Sequence, residues 1–251
     1  MERLWIAIAL VAAASSPAWT KPTEMVVRVI SLGGKFVGSS MGGAEITIRD
    51  VRTGQVLAHG RTAGGTGDTA RIMKGAPRGA PIADGETAAF RASIDIDEPR
   101  LIEVEAYGPV AQPQSAMRVR AQQWVLPGRP VNRGDGWVLE LPGLVVDAVD
   151  PPAHARISGQ TQAITANVAL MCGCPIEPGG IWDAARFDVR AAISRENGEA
   201  VADLPLSYAG QTGRFSATAR FPGRGGYVVT VTAVDTLTGA TGLDRTSLIV
   251  P

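Results

Sequence analysis

Two cysteines are the whole thiol inventory of this 251-residue chain, and both fall in one tripeptide, Cys172-Gly173-Cys174, directly after Met171. Three chemistries suit sulfurs placed in that way. A disulfide is favoured in an oxidising compartment. On a straight strand the two Cα atoms would stand about 6.6–6.8 Å apart, at the far edge of the usual range. A bend at Gly173 would shorten that span at little steric cost. So small a ring constrains almost no chain in the unfolded state and stabilises little; strain in it would instead make the bond easy to reduce, which points to thiol–disulfide redox exchange. The second chemistry is metal binding, since paired thiolates with a thioether select copper(I). Met171 adjoins the pair and His154 lies upstream, so the candidate ligand set is Cys172, Cys174, Met171 and His154. Zinc suits the chain less, because a closed site takes four ligands and His59 and His154 are the only imidazoles. The third is inert packing: small, polarizable side chains buried with no chemistry, Met171 among them by strand alternation.

Other groups of residues carry less. Arg133-Gly134-Asp135 sits where a turn before an apolar strand needs such residues. The glycine-rich segment 64–69 lacks the Lys-Ser/Thr ending and following helix of a phosphate cradle. Asp95, Asp97 and Glu98 lack the spaced ligand loop of a calcium site and read as a solvated strand end. His59 reads as a half-exposed sheet residue. Two histidines and no nucleophile-elbow pattern leave little for hydrolysis, so the chain reads as non-enzymatic. Trp124, Trp137 and Trp182 are expected in the core; alternatively Trp124 and Trp137 offer flat faces to a sugar or a protein.

The elements that must position these residues are strands. Helical periodicity is nearly absent, and short alternating runs recur at 25–30, 44–51, 89–96, 101–108 and 136–149. Alternation puts one face in a core and the other in water. Gly- and Pro-rich segments between the runs supply turns. The double proline of Asp150-Pro151-Pro152 restricts the backbone and marks the boundary, dividing an N-terminal β-rich domain, 22–147, from a second domain, 148–251. The second half is more regular, with strands expected at 144–149, 162–171, 187–194, 201–209, 213–221, 226–235 and 243–250. Seven strands in that length suit a sandwich. The expected fold is all-β, two consecutive sandwiches.

The segment 225–250, "GGYVVTVTAVDTLTGATGLDRTSLIV", resembles the last hairpin of bacterial immunoglobulin-like domains. The segment 43–62, "GAEITIRDVRTGQVLAHGRT", is similar to carboxypeptidase-regulatory-like, or transthyretin-type, β-domains. Both resemblances imply scaffolding, carrier or adhesive modules with no catalytic residues. If 162–171 is the second strand of an immunoglobulin-type sandwich, the cysteines open the loop after it. That loop shares an end with the 235–242 loop. The pair would then form an exposed tip beside Asp235, Asp150 and His154, facing the first domain.

Address follows from the first twenty residues. An apolar run from Leu4 to Ala14 precedes Ser16-Pro17-Ala18, the layout of a cleaved signal peptide over 1–18. The run is too short to span a bilayer, which takes about 20 residues. The expected location is periplasmic or secreted, with no membrane span in the mature chain. Lys+Arg equals Asp+Glu at 24 each, and without a basic block neither nucleic acid nor an anionic membrane is favoured. The expectation is an exported binding protein that meets another exported or envelope protein, using the sulfur pair for copper(I) or thiol chemistry. The alternatives are an envelope scaffold that binds a protein or glycan, and a redox component.

Overall fold

The computed structural model describes residues 21–75, 77 and 79–251; the leader expected over 1–18 lies outside them. The first half holds β1 (Lys21–Ser31), β2 (Glu45–Asp50), β3 (Val56–Arg61), β4 (Phe90–Ile96), β5 (Arg100–Gly108), β6 (Met117–Val125) and β7 (Trp137–Leu141). Two sheets form, ordered β4-β1-β7 and β3-β2-β5-β6. Alternation works as the pleat requires: Met25, Val27 and Val29 of β1 face Ile46, Ile48, Ile102, Val104 and Ala106 of the other sheet.

The second half holds β8 (Leu144–Asp150), β9 (Ala155–Arg156), β10 (Thr161–Leu170), β11 (Ile176–Glu177), β12 (Trp182–Asp183), β13 (Phe187–Arg195), β14 (Ala200–Pro205), β15 (Ser207–Tyr208), β16 (Arg214–Arg220), β17 (Gly225–Asp235) and β18 (Thr241–Val250). Its main sheets run β15-β16-β10-β8 and β14-β13-β17-β18-β9. With β8 as strand A, these orders are D-E-B-A facing C′-C-F-G, the immunoglobulin-type arrangement. A second landmark agrees. Tyr227, near the start of β17, donates its hydroxyl to the carbonyls of Pro222 and Gly223, the tyrosine corner of such sandwiches. The chain is therefore an all-β pair of sandwiches.

The run 136–149 divides into two strands, the second of which, β8, is the strand expected at 144–149. Pro142 has no N–H for a ladder, and Gly143 turns the chain at φ +113°. Before them β7 pairs in parallel with β1; after them β8 pairs with β10. The chain therefore changes sandwich at residues 142–143. The double proline, read from sequence as the boundary, instead lies within the second sandwich, where the edge leaves β10 and rejoins as β9 beside β18. Proline suits that place because it breaks an edge ladder.

One wall serves both cores. Leu144, Val146, Leu170 and Cys172 point into the second core, while Val145 and Met171 point into the first. The open edge of β8 is covered from the first domain, because the Val146 amide donates to Ser115 Oγ at 3.1 Å and Ser115 Oγ donates to the Val146 carbonyl at 3.2 Å.

Candidate functional site

Two regions compete for a functional role, one closed and one open. The closed one is the sulfur tip. After β10 the chain turns at Gly173, which takes φ +71°, with the Gly173 amide donating to the Leu170 carbonyl at 2.8 Å. This bend brings the cysteine Cα atoms to 5.3 Å, and Cys172 and Cys174 are joined as a disulfide. Each is only 2% exposed.

The cover over them is a turn from the first domain. Ser31 donates its amide to Lys35 O and Gly34 donates to Ser31 O, both at 2.9 Å, which presents the backbone of residues 31–35 to the second sandwich. The Lys35 amide donates to Cys172 Sγ at 3.4 Å, the Met171 amide to Ser31 Oγ at 3.1 Å, and Trp182 Nε1 to Gly33 O at 2.9 Å. A Cβ on Gly34 would sit 2.9 Å from both Cys172 Sγ and Leu170 Cδ2. Only glycine fits so close an approach.

Beside this turn lies a buried ion pair. Asp235, 1% exposed, ends β17 at a core-facing position. Arg186 meets it through Nε at 2.9 Å and through a second nitrogen, Thr238 Oγ1 donates at 2.8 Å, and the Leu237 amide donates at 3.1 Å. Burial alone would push the Asp235 carboxyl up. The donors from Arg186, Thr238 and Leu237 outweigh it and hold the group below the ordinary carboxylate range.

The sequence-derived ligand set is not brought together. The sulfurs of Cys172 and Cys174 are bonded to each other, and Met171 is buried in the first core. His154, at φ +62°, has its amide on Ser247 O at 2.8 Å and its Nδ1 3.1 Å from Ser247 Oγ. Its neighbour Ala155 pairs with Leu248, near the end of β18. The sulfur end is where β18 begins, with Gly242 against Leu144 and Leu144 paired to Leu170. From Gly242 to Leu248 the strand rises about 20 Å, so His154 and Asp150 lie away from the sulfurs. Placing the domain boundary at the double proline had put them at the wrong end. Asp235 does lie at the sulfur end, as expected. The tip is not exposed. Among the described residues no three His, Cys, Asp or Glu side chains group to hold a metal ion.

The open region holds Trp124, which the sequence offers as an alternative contact face beside its expected core place. Trp124 is 66% exposed, whereas Trp137 and Trp182 are 8% and 3% exposed, so the expectation of a core residue is wrong for Trp124 alone. On β6 the alternation sends Val119, Ala121 and Val125 inward, so residue 124 faces out. A groove of about 360 Å³ opens beside it, lined by Gln123, Trp124, Leu126, Arg129, Pro130 and Arg133 among others. Its far wall is fixed to β1: the Gly128 amide donates to Thr23 Oγ1 at 2.9 Å, the Val131 amide to Glu24 O at 2.8 Å and the Val26 amide to Val131 O at 3.0 Å. Asn132 Nδ2 donates to Glu24 Oε2 at 2.8 Å. Among the described residues, the side chains of Gln123, Arg129 and Arg133 make neither hydrogen bond nor ion pair within the chain. By contrast Arg118 and Arg120, farther along β6, are both engaged by Glu105.

No family model matches the chain, and no curated protein does. Among solved structures it is similar to an engineered protein, at 19% identity over 51% of this chain and 24% of that one, with a TM-score of 0.33. It is also similar to a Cellulomonas fimi endo-β-1,4-mannanase double mutant, at 18% identity over 46% of this chain and 20% of that one, TM-score 0.28. The chain thus spans a quarter or less of either. The fibronectin(III)-like modules of Clostridium thermocellum CbhA share 11% identity over 83% of this chain and 78% of theirs, TM-score 0.29. Overlays at this level carry no functional argument, and the architecture rests on the chain's own ladders.

Proposed function

We propose that this chain is an exported, non-catalytic binding protein of the periplasm or cell exterior, that its contact surface is the Trp124 groove, and that the second sandwich is its structural support. The observation that carries the reading is an indole 66% exposed on walls held by backbone hydrogen bonds. An exposed aromatic supplies a large contact area, and a pinned wall has little ordering entropy left to lose on binding. The partner is extracytoplasmic, a protein or glycan of the envelope.

The copper(I) and thiol-exchange readings draw no support from the arrangement around the sulfurs. Oxidised, the pair offers no thiolate; reduced, it would still lie beneath residues 31–35, and neither Met171 nor His154 reaches it. No observation favours those readings over the open groove.

A combined protein and glycan array tests the proposal. The full mature chain, its Trp124→Ala variant and the Cys172→Ala/Cys174→Ala variant are compared on the same surface. The expected result is at least one feature bound by wild type, lost in Trp124→Ala and kept by the double cysteine variant. Identical patterns for wild type and Trp124→Ala would overturn the groove reading. Loss confined to the double cysteine variant would return the sulfurs to the centre.

A further inference from the structure

Resting on that groove reading, we infer that the groove takes an acidic glycan, a chain of pyranose rings carrying carboxylates. The first argument is local charge. The chain is formally neutral, yet the groove lining includes two guanidinium groups, Arg129 and Arg133, and no carboxylate. Of the acids near this loop in sequence or through its bonds to β1, Glu24 accepts from Asn132 and Asp135 accepts from the Ile82 and Ala83 amides. Arginine side chains unpaired among the described residues present planar forks that match a carboxylate with two parallel bonds.

The second argument is shape. Trp124 offers one broad apolar face at the mouth, flanked by Leu126 and Pro130. The C–H face of a pyranose ring is flat enough to lie on an indole, while its rim hydroxyls and carboxylate point sideways. Gln123, Arg129 and Arg133 line the same groove, and a planar amide or guanidinium can span two adjacent hydroxyls. An added peptide strand would instead call for a row of pockets at two-residue spacing. The groove lining instead holds one aromatic residue, Trp124, together with the polar Gln123, Arg129 and Arg133.

The third argument is the cost of assembly. The loop carrying Arg129 and Arg133 is tied to β1 at Thr23, Glu24 and Val26. A sugar chain brings few strong contacts, so a site that is already formed keeps more of their free energy as affinity.

Calorimetric titration of the folded mature chain tests this, with three probes: oligogalacturonate, the same oligomer fully methyl-esterified, and oligoglutamate of similar charge. The expected result is binding of oligogalacturonate that weakens about tenfold or more in Trp124→Ala and in Arg129→Gln/Arg133→Gln. It should also weaken as salt rises and be weaker still for the ester. All variants must retain the wild-type thermal midpoint to within a few degrees. Equal binding of the neutral ester, still lost in Trp124→Ala, would overturn the acidic class and leave the groove standing. Equal binding of oligoglutamate with the same variant dependence would make the occupant a peptide and overturn the glycan. Absence of oligogalacturonate binding, or binding indifferent to Trp124→Ala, would overturn this inference, with the array then deciding whether the groove binds anything.

Discussion

The sulfur tip and the tryptophan groove are opposites in both chemistry and exposure. At the tip, the residue types with the most reactivity are bonded to each other and covered by the 31–35 turn. At the groove, residues with little intrinsic reactivity stand open with their polar groups unused. The difference teaches that a reactive residue type marks a site only when the fold leaves it an approach. Here Cys172, Met171 and Trp182 meet the 31–35 turn at the junction of the two sandwiches, the Asp235–Arg186 pair braces the second sandwich beside it, and the surface left for a partner is built from tryptophan, arginine and glutamine.

Substitutions should separate the two regions cleanly. The largest loss is expected at the tip from Arg186→Met, which strands the Asp235 carboxylate in a buried place; about 3–5 kcal/mol follows from removing one partner of such a pair, read by urea unfolding. Acid should act through the same carboxylate. Its folded pKa lies below the ordinary aspartate range, so the stabilisation is fully present above that range and is lost as the pH falls through the lowered folded pKa. Asp235→Asn should flatten that part of a pH–stability profile.

Next comes Gly34→Val, whose added carbons would press on Cys172 Sγ and Leu170; about 1–3 kcal/mol is the usual cost of overpacking. Unfolding monitored in both halves should show the domains losing their coupling. If Gly34→Val is neutral, the turn is not clamped on the sulfurs. Reduction of the disulfide should cost less, about 1–2 kcal/mol, because so short a ring removes little freedom from the unfolded chain. Differential scanning calorimetry with and without dithiothreitol measures it. The smallest effect on stability belongs to Trp124→Ala, within about 0.5 kcal/mol, as for an exposed side chain without structural duty, although that variant should lose the partner.

Much of the second sandwich was readable from the pattern. Strands expected at 162–171, 187–194 and 226–235 appear as β10, β13 and β17 with ends within one residue, because alternating Val, Ile and Ala over long runs leaves the pleat no other face to bury. The first half was read less well. Strand β6 was overlooked because Gln122 and Gln123 interrupt its apolar alternation, and with it went the parity that turns Trp124 outward. The strand expected at 144–149 is β8, the first of the second sandwich, and the Pro142-Gly143 turn before it is where the chain changes sandwich. Setting the junction at the double proline, for the restriction its two rings impose, instead of at that turn carries His154 to the wrong end. Asp235 had a signal available: it continues the buried series Val229, Val231, Ala233, and a carboxylate at such a position calls for a buried partner. Which partner, Arg186, is a matter of loop geometry that spacing alone does not contain. The groove brings the end of β6 against a loop tied to β1, a long-range arrangement of the same kind.

Hydroxyl-radical footprinting of the native, oxidised chain reads both regions in one experiment. Trp124 should be modified many times faster than Met171, Cys172, Cys174 and Trp182, even though sulfur is intrinsically the more reactive target, and oligogalacturonate should slow Trp124 alone. Modification of the sulfur residues at a rate matching Trp124 would contradict the account, for it would mean that the junction stands open and the contrast between the two ends does not exist.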